Sequence, residues 1–243
     1  MNKLLDIAIA LSIAASASAA MAEQVRLASE GAYPPYNFIN DKGEVDGFER
    51  EVGDEICKRA ALDCSWVTSD WDSIIPNLVS GNYDAILAGM TVTPERDRVI
   101  DFTQNYFPPD PSSYVALKGA GEEVREGVVA AQVSTVQATH VASTGATLVE
   151  FATPDDTVAA VRNGEADAVF SDKPYLEDIV AESGGELIFI GEDVAIGEGI
   201  GIGLRESDGA LKEKLNAAIT SMKEDGTLNK MISKWFEGRD NAF

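Results

Sequence analysis

Two copies of one short pattern, 83 residues apart, constrain this chain more than any other feature: Gly81-x-x-Asp84-Ala85-Ile86-Leu87-Ala88 and Gly164-x-x-Asp167-Ala168-Val169-Phe170-Ser171. Each reads as a helix that stops at glycine, a tight turn and then a buried strand. A chain that repeats helix and strand in this way builds mostly parallel sheets with helices on their faces. The rest of the sequence follows the same alternation. Residues 25–28 read as a strand, and Phe48, Val52, Ile56 and Ala60 recur at i+4 spacing, as one face of a helix requires. Trp71, Ile74, Ile75, Leu78 and Val79 form a second face, with Asp72 as its cap and Pro76 in its first turn. Residues 99–102 and 113–117 read as extended. A second series begins with a strand at 128–131, a helix start at Ser134-Thr135 and a strand at 148–151. It continues with a helix after Asp155, a strand at 166–170, a helix at 173–183 and a strand at 187–190. A glycine-alternating run at 197–204 returns the chain to two last helices, at 209–224 and 228–236. That run lacks the strand-to-helix phosphate turn of a dinucleotide site and reads as a crossover.

The two copies end on opposite charges. The first continues into Gly89-Met90-Thr91-Val92-Thr93-Pro94-Glu95-Arg96, where Thr93 and Pro94 signal a helix start with Arg96 in its first turn. A helix start and a guanidinium together suit a carboxylate. The alternative for Arg96 is a surface pairing with Glu95, Asp97 or Asp101. The second copy ends at Asp172, which either caps the next helix or binds a cation. Both positions follow a buried strand, at the sheet edge where α/β folds place ligands, so together they suit a zwitterion.

Residues 1–22 read as a signal peptide: Lys3, an apolar stretch, and Ala20-Met21-Ala22 at the cleavage point. The apolar stretch is too short to span a bilayer, and no direct membrane insertion is expected. Its removal leaves 221 of 243 residues, enough for two lobes of about 100 residues each. Cys57 and Cys64 are the two cysteines, and in an exported protein they read as a disulfide. The one histidine, His140, has no ligand set around it, so neither a metal nor a cofactor is expected. A net charge of −22 argues against nucleic acid as a partner and tilts the ligand toward a basic or neutral solute.

Ten-residue Ser29 to Phe38 (Ser29-Glu30-Gly31-Ala32-Tyr33-Pro34-Pro35-Tyr36-Asn37-Phe38), Gly47-Phe48-Glu49, Trp71-Asp72-Ser73-Ile74-Ile75-Pro76, Tyr83-Asp84-Ala85-Ile86, the Met90–Arg96 run and Asp225-Gly226-Thr227 carry a family resemblance. In order and spacing the chain resembles the exported solute-binding proteins of polar amino acid ABC transporters. The lysine/arginine/ornithine- and histidine-binding type and its opine-binding relatives are the most similar branch. The resemblance implies a two-lobed α/β fold of the periplasmic-binding-protein type II, each lobe a mostly parallel sheet flanked by helices, joined by two hinge crossovers. Lobe 1 would comprise 23–110 and 200–243, and lobe 2 would comprise 111–199. It implies a monomer in the periplasm that closes on one free amino acid and delivers it to the membrane permease of an ABC importer.

Carried over by motif, Arg96 and Thr91 hold the α-carboxylate, helped by Thr135 with Ser134 from the other lobe. Asp172 takes the α-ammonium with the Gly89 carbonyl, in a wall formed with Ala88 and Met90. Tyr33 and Trp71 sandwich the side chain, and Glu30 faces its basic end. The chain departs from histidine-type relatives in having Ala88 and Gly89 where those have serines, and Val133-Ser134-Thr135-Val136 where relatives often have a glycine turn. Two other readings share this fold: an exported enzyme of the cyclohexadienyl dehydratase kind, with a cleft Glu as general acid, and a ligand-dependent partner of a sensor receptor.

Overall fold

A computed structural model describes residues 22–239 and 242–243; the expected signal peptide, apart from Ala22, lies outside the described residues. The chain begins with β1 (Glu23–Ser29), a small antiparallel sheet of β2 (Ala32–Tyr33), β3 (Asn37–Ile39) and β4 (Val45–Asp46), and α1 (Phe48–Arg59). It continues through β5 (Leu62–Thr68), α2 (Trp71–Val79), β6 (Ala85–Ile86) and β7 (Asp101–Phe102). It then crosses to β8 (Pro111–Leu117), β9 (Val128–Gln132), α3 (Val136–Thr144), β10 (Thr147–Phe151), α4 (Pro154–Asn163), β11 (Ala168–Asp172), α5 (Lys173–Glu182) and β12 (Leu187–Ala195). It returns to β13 (Gly203–Leu204), α6 (Gly209–Glu224) and α7 (Thr227–Trp235).

The result is a two-lobed α/β protein. One sheet has the order β5-β1-β6-β13-β7 and the other β10-β9-β11-β8-β12. Both are mostly parallel in direction, with one strand in each reversed. In each, three strands run parallel, the fourth is reversed, and the fifth is antiparallel to the fourth. The reversed strand is β13 in the first sheet and β8 in the second, and each is the first strand after a crossover. A chain arriving from the other lobe enters at the facing edge, where the parallel strands end, and must run against them. The two crossovers lie side by side: Tyr106 N–H donates to the Ile200 carbonyl at 2.9 Å and Ile200 N–H to the Phe107 carbonyl at 3.1 Å.

The repeated motif has a structural role in both lobes. Gly81 (φ +79°) and Gly164 (φ +74°) end α2 and α4 in the left-handed region that glycine enters without a Cβ penalty. Three residues later, Asp84 N–H donates to the Arg26 carbonyl at 2.9 Å, and its carboxylate accepts the Arg26 N–H at 3.0 Å. Asp167 does the same with Val128, at 2.7 and 2.8 Å. Each aspartate thus pins a strand to the start of its parallel neighbour. Asp84 also binds the guanidinium groups of Arg26 and Arg205, which hold its carboxyl down at about 2 against the opposing effect of burial.

The helices bury the faces their periodicity indicated: Phe48, Val52 and Ile56 in α1, and Trp71, Ile74 and Leu78 in α2. Val79 is an exception, 52 % exposed at the end of its helix. The cap of α2 is Asp70 rather than Asp72, so Pro76 lies two residues further in than expected. Cys57 and Cys64 form a disulfide that ties the end of α1 to β5. No helix among the described residues is long and apolar enough to cross a membrane.

Candidate functional site

The carboxyl ends of the parallel strands in the two sheets face one cleft. Glu30 and Tyr33 follow β1, Ala88, Gly89 and Thr91 follow β6, Gln132 ends β9, and Ser171 and Asp172 end β11. With Trp71, Arg96, Thr135, Val136, Gln137 and Phe170 they line one narrow cleft. Two expected members stand apart. Met90 is fully buried in the core with Ile74, Leu78 and Ile100, while its neighbour Thr91 lines the cleft, since adjacent side chains of an extended segment point to opposite faces. Ser134 lies outside the inner cleft, in an adjoining groove, at φ +60° in the left-handed region. Its contribution is a backbone carbonyl, not its hydroxyl.

Arg96 is partly buried in the first lobe. Its guanidinium donates to the Thr91 carbonyl at 2.8 Å and, across the cleft, to the Ser134 carbonyl at 3.2 Å, instead of pairing with Glu95, Asp97 or Asp101. Its carbon lies 5.2 Å from the centre of the Trp71 ring, a cation–π distance. Burial pulls its pKa down to about 10, partly opposed by Asp172, so the group stays cationic at neutral pH. Thr93 caps this turn, accepting the Arg96 N–H at 3.2 Å. The turn is a three-residue 3₁₀ segment, Arg96–Arg98, not the expected α-helix. The chain must re-enter the sheet at Asp101, so a single turn fits, and the guanidinium, not a helix end, supplies the positive charge.

Asp172 stands at the end of β11, just before α5, but caps nothing with its side chain. Its Oδ2 accepts the Tyr33 hydroxyl at 2.8 Å, and its Oδ1 accepts Gln137 Nε2 at 2.8 Å. Desolvation, assisted by Asp110, raises its pKa to about 6, more than the Tyr33 and Ser112 hydrogen bonds and Arg96 lower it. Tyr33 is stacked between Tyr36 and Tyr175, with ring centres 5.6 and 4.5 Å away, so its phenol and not an open ring face is the group fixed toward the second lobe. Glu30 accepts Gln132 Nε2 at 2.6 Å, a third contact between the lobes. Burial raises Glu30 to about 7, assisted by Asp70, Glu49 and Asp155 and opposed by the Gln132 hydrogen bond. Thr135 caps α3, accepting the Ala138 N–H at 3.1 Å, and its hydroxyl donates to the Gln132 carbonyl.

Gln132, Val136, Gln137, Phe170 and Ser171 line the cleft without having been singled out from the sequence. Gln132 and Ser171 carry a usable signal, since each lies at the carboxyl edge of a buried strand. Gln137 carries none, because a glutamine inside a helix reads as solvated. No cluster of potential metal ligands occurs among the described residues.

The arrangement has counterparts in known proteins. The model of the Bacterial extracellular solute-binding proteins, family 3, matches residues 25–238. The chain is 31% identical over 250 residues to the Lysine/arginine/ornithine-binding periplasmic protein of Escherichia coli (strain K12), covering 96% of this chain and 95% of that protein. It is 31% identical to the L-arginine-binding protein of Pseudomonas aeruginosa, over 94% of both chains. A crystal structure of a periplasmic His/Glu/Gln/Arg/opine family-binding protein from Silicibacter pomeroyi, in complex with lysine, has a TM-score of 0.88 and 68% identity, covering 90% of this chain and all of that one. With matched sheets, a shared cleft and similarity along nearly its whole length, this chain belongs to the family 3 bacterial extracellular solute-binding proteins.

Proposed function

We propose that this protein captures a free amino acid with a cationic side chain in the periplasm and delivers it to the permease of an ABC importer. The observation that carries the reading is the placement of Arg96 on one lobe and Asp172 on the other, lining the same cleft. Arg96, with Thr91 and Thr135, would take the α-carboxylate, and Asp172 the α-ammonium. Glu30, at the end of β1, would meet the distal cation. Relatives named for lysine, arginine and ornithine support the basic class. The lobes boundaries at about 110 and 200, cleavage after about Ala22 and action as a monomer belong to the same proposal.

The physical logic is closure by the ligand. A solute that touches both lobes stabilises the closed arrangement over an open one, and the closed form is what a permease can distinguish. A paired cation and anion at fixed positions recognise both poles of an amino acid, and the similar proteins are named for binding, so the site is read as one for capture and not for turnover. Calorimetric titration of the mature protein with L-lysine, L-arginine, L-ornithine, L-histidine, L-glutamine and octopine tests the proposal. Binding of one or more basic members is expected; absence of binding across the basic members rejects it.

A further inference from the structure

Outside the residues that line the cleft, Glu49 occupies the first turn of α1 with no solvent exposure. Its Oε1 accepts the Gly89 N–H at 2.7 Å and the Tyr106 hydroxyl, and its Oε2 accepts Asn37 Nδ2 at 2.7 Å. Asn37 in turn accepts the Gly31 N–H at 2.7 Å through its Oδ1. All three direct partners are neutral donors, so no cation offsets the burial of this carboxyl group. Packing alone would favour an apolar side chain at such a position.

What the carboxylate does is join three segments. Gly31 lies in the turn between Glu30 and Tyr33, Gly89 is in the cleft wall, and Tyr106 lies on the first crossover beside Ile200 of the second. A trans peptide is planar, so its carbonyl and N–H point in opposite directions. With the Gly89 N–H bonded to Glu49, the orientation of the whole Ala88–Gly89 peptide in the cleft wall is fixed.

We propose that Glu49 is a positioning residue: by holding the Ala88–Gly89 peptide in the cleft wall it sets the Gly89 carbonyl, the acceptor assigned above to the ligand's ammonium, and it keeps the Glu30 turn in register with that wall. The inference rests on reading the cleft as an amino acid site. It predicts that replacing one oxygen by an NH₂ group breaks the network at a definable place. In Glu49→Gln the new donor meets either Asn37 Nδ2 or the Gly89 N–H. Turning Asn37 over only moves the mismatch to Gly31. Adding Asn37→Asp restores an acceptor for both the glutamine and Gly31.

The test measures the dissociation constants of wild type, E49Q and N37D/E49Q for L-lysine and L-arginine by calorimetry, well below each melting temperature, with melting recorded separately. E49Q is expected to bind about tenfold or more weakly, and N37D/E49Q within about threefold of wild type, the scale of one hydrogen bond to a charged group lost and recovered. An E49Q protein that melts earlier but binds like wild type overturns the inference, because a purely structural role predicts that result. A folded double variant more than about tenfold weaker than wild type also overturns it. If E49Q does not fold, the double variant decides alone by the same limits. If wild type binds neither amino acid, the functional reading itself fails and this inference fails with it.

Discussion

Tyr33 donates its hydroxyl to Asp172 at 2.8 Å, and the two residues stand on opposite lobes. The bond orients the carboxylate assigned to the ammonium, and it is among the side-chain contacts that span the cleft, with Tyr33 to Ser171, Arg96 to Ser134 and Gln132 to Glu30. Loss of a hydrogen bond to a charged acceptor costs about 1.5–3 kcal/mol. Tyr33→Phe, which keeps the ring stack with Tyr36 and Tyr175, should therefore weaken amino acid binding by about tenfold or more. Calorimetry on that variant checks this, and unchanged affinity would show that Asp172 needs no such orientation.

Arg96 holds two carbonyls, on Thr91 and Ser134, and leans on Trp71. Truncating one partner of a buried charge pair costs about 2–5 kcal/mol in binding. Arg96→Ala should abolish detectable binding while the apo protein melts near the wild-type temperature, since burial already opposes the charged guanidinium. Arg96→Lys keeps a charge but loses the planar fork, and should recover only part of the affinity. A titration of both variants, with circular dichroism for the fold, separates loss of the clamp from loss of structure.

The pH dependence follows from two carboxyl groups raised by burial, Asp172 to about 6 and Glu30 to about 7. Both bind protons more tightly folded than unfolded, so between about pH 4 and 7 the folded apo protein carries the extra protons and its stability falls as pH rises. Ligand binding has the opposite slope. A cation favours the ionised carboxyls, so basic ligands should bind more tightly from pH 5.5 to 8 and release protons near pH 6.5. Calorimetry in buffers of different ionisation enthalpy reads the proton release; an affinity that is flat over this interval contradicts the assignment.

Glu30→Gln should remove the higher-pH part of that slope and weaken lysine and arginine more than glutamine. The comparison of ligands matters because a general disturbance of the Gln132 contact would weaken all three alike. Equal losses for charged and neutral ligands would place the distal cation elsewhere.

Asp84 and Asp167 make the same backbone bonds, but only Asp84 is also held by two arginines. Each substitution to alanine leaves a strand N–H without its acceptor, a cost of about 1–3 kcal/mol. Asp84→Ala should be the more damaging of the two, because it also removes the carboxylate that Arg26 and Arg205 share. Urea unfolding ranks them; a larger loss for Asp167→Ala would mean that the arginines contribute little.

Much of the architecture was readable from residue pattern because it depends on local rules. The bounds of α6 follow from periodicity, and the glycines that end α2 and α4 follow from helix termination. The small sheet of β2, β3 and β4 was not legible, since strands of two or three residues are too short to display alternation. The burial of Gln137 and Glu49 was not legible for a different reason: a polar residue in a helix carries no mark of where its face will be buried.

The sequence by itself determined the alternation of elements, the family and the charge types brought to the cleft, because these depend on local periodicity and on motifs a few residues long. The tertiary structure alone decided that Met90 joins the core while Gln132 joins the cleft, that Ser134 acts through its carbonyl, and that Tyr33 meets Asp172 from 139 positions away. The reason is that burial, desolvation and hydrogen-bond partnership are properties of where segments meet, and contacts between two lobes exist only once both sheets have formed and their carboxyl edges face each other.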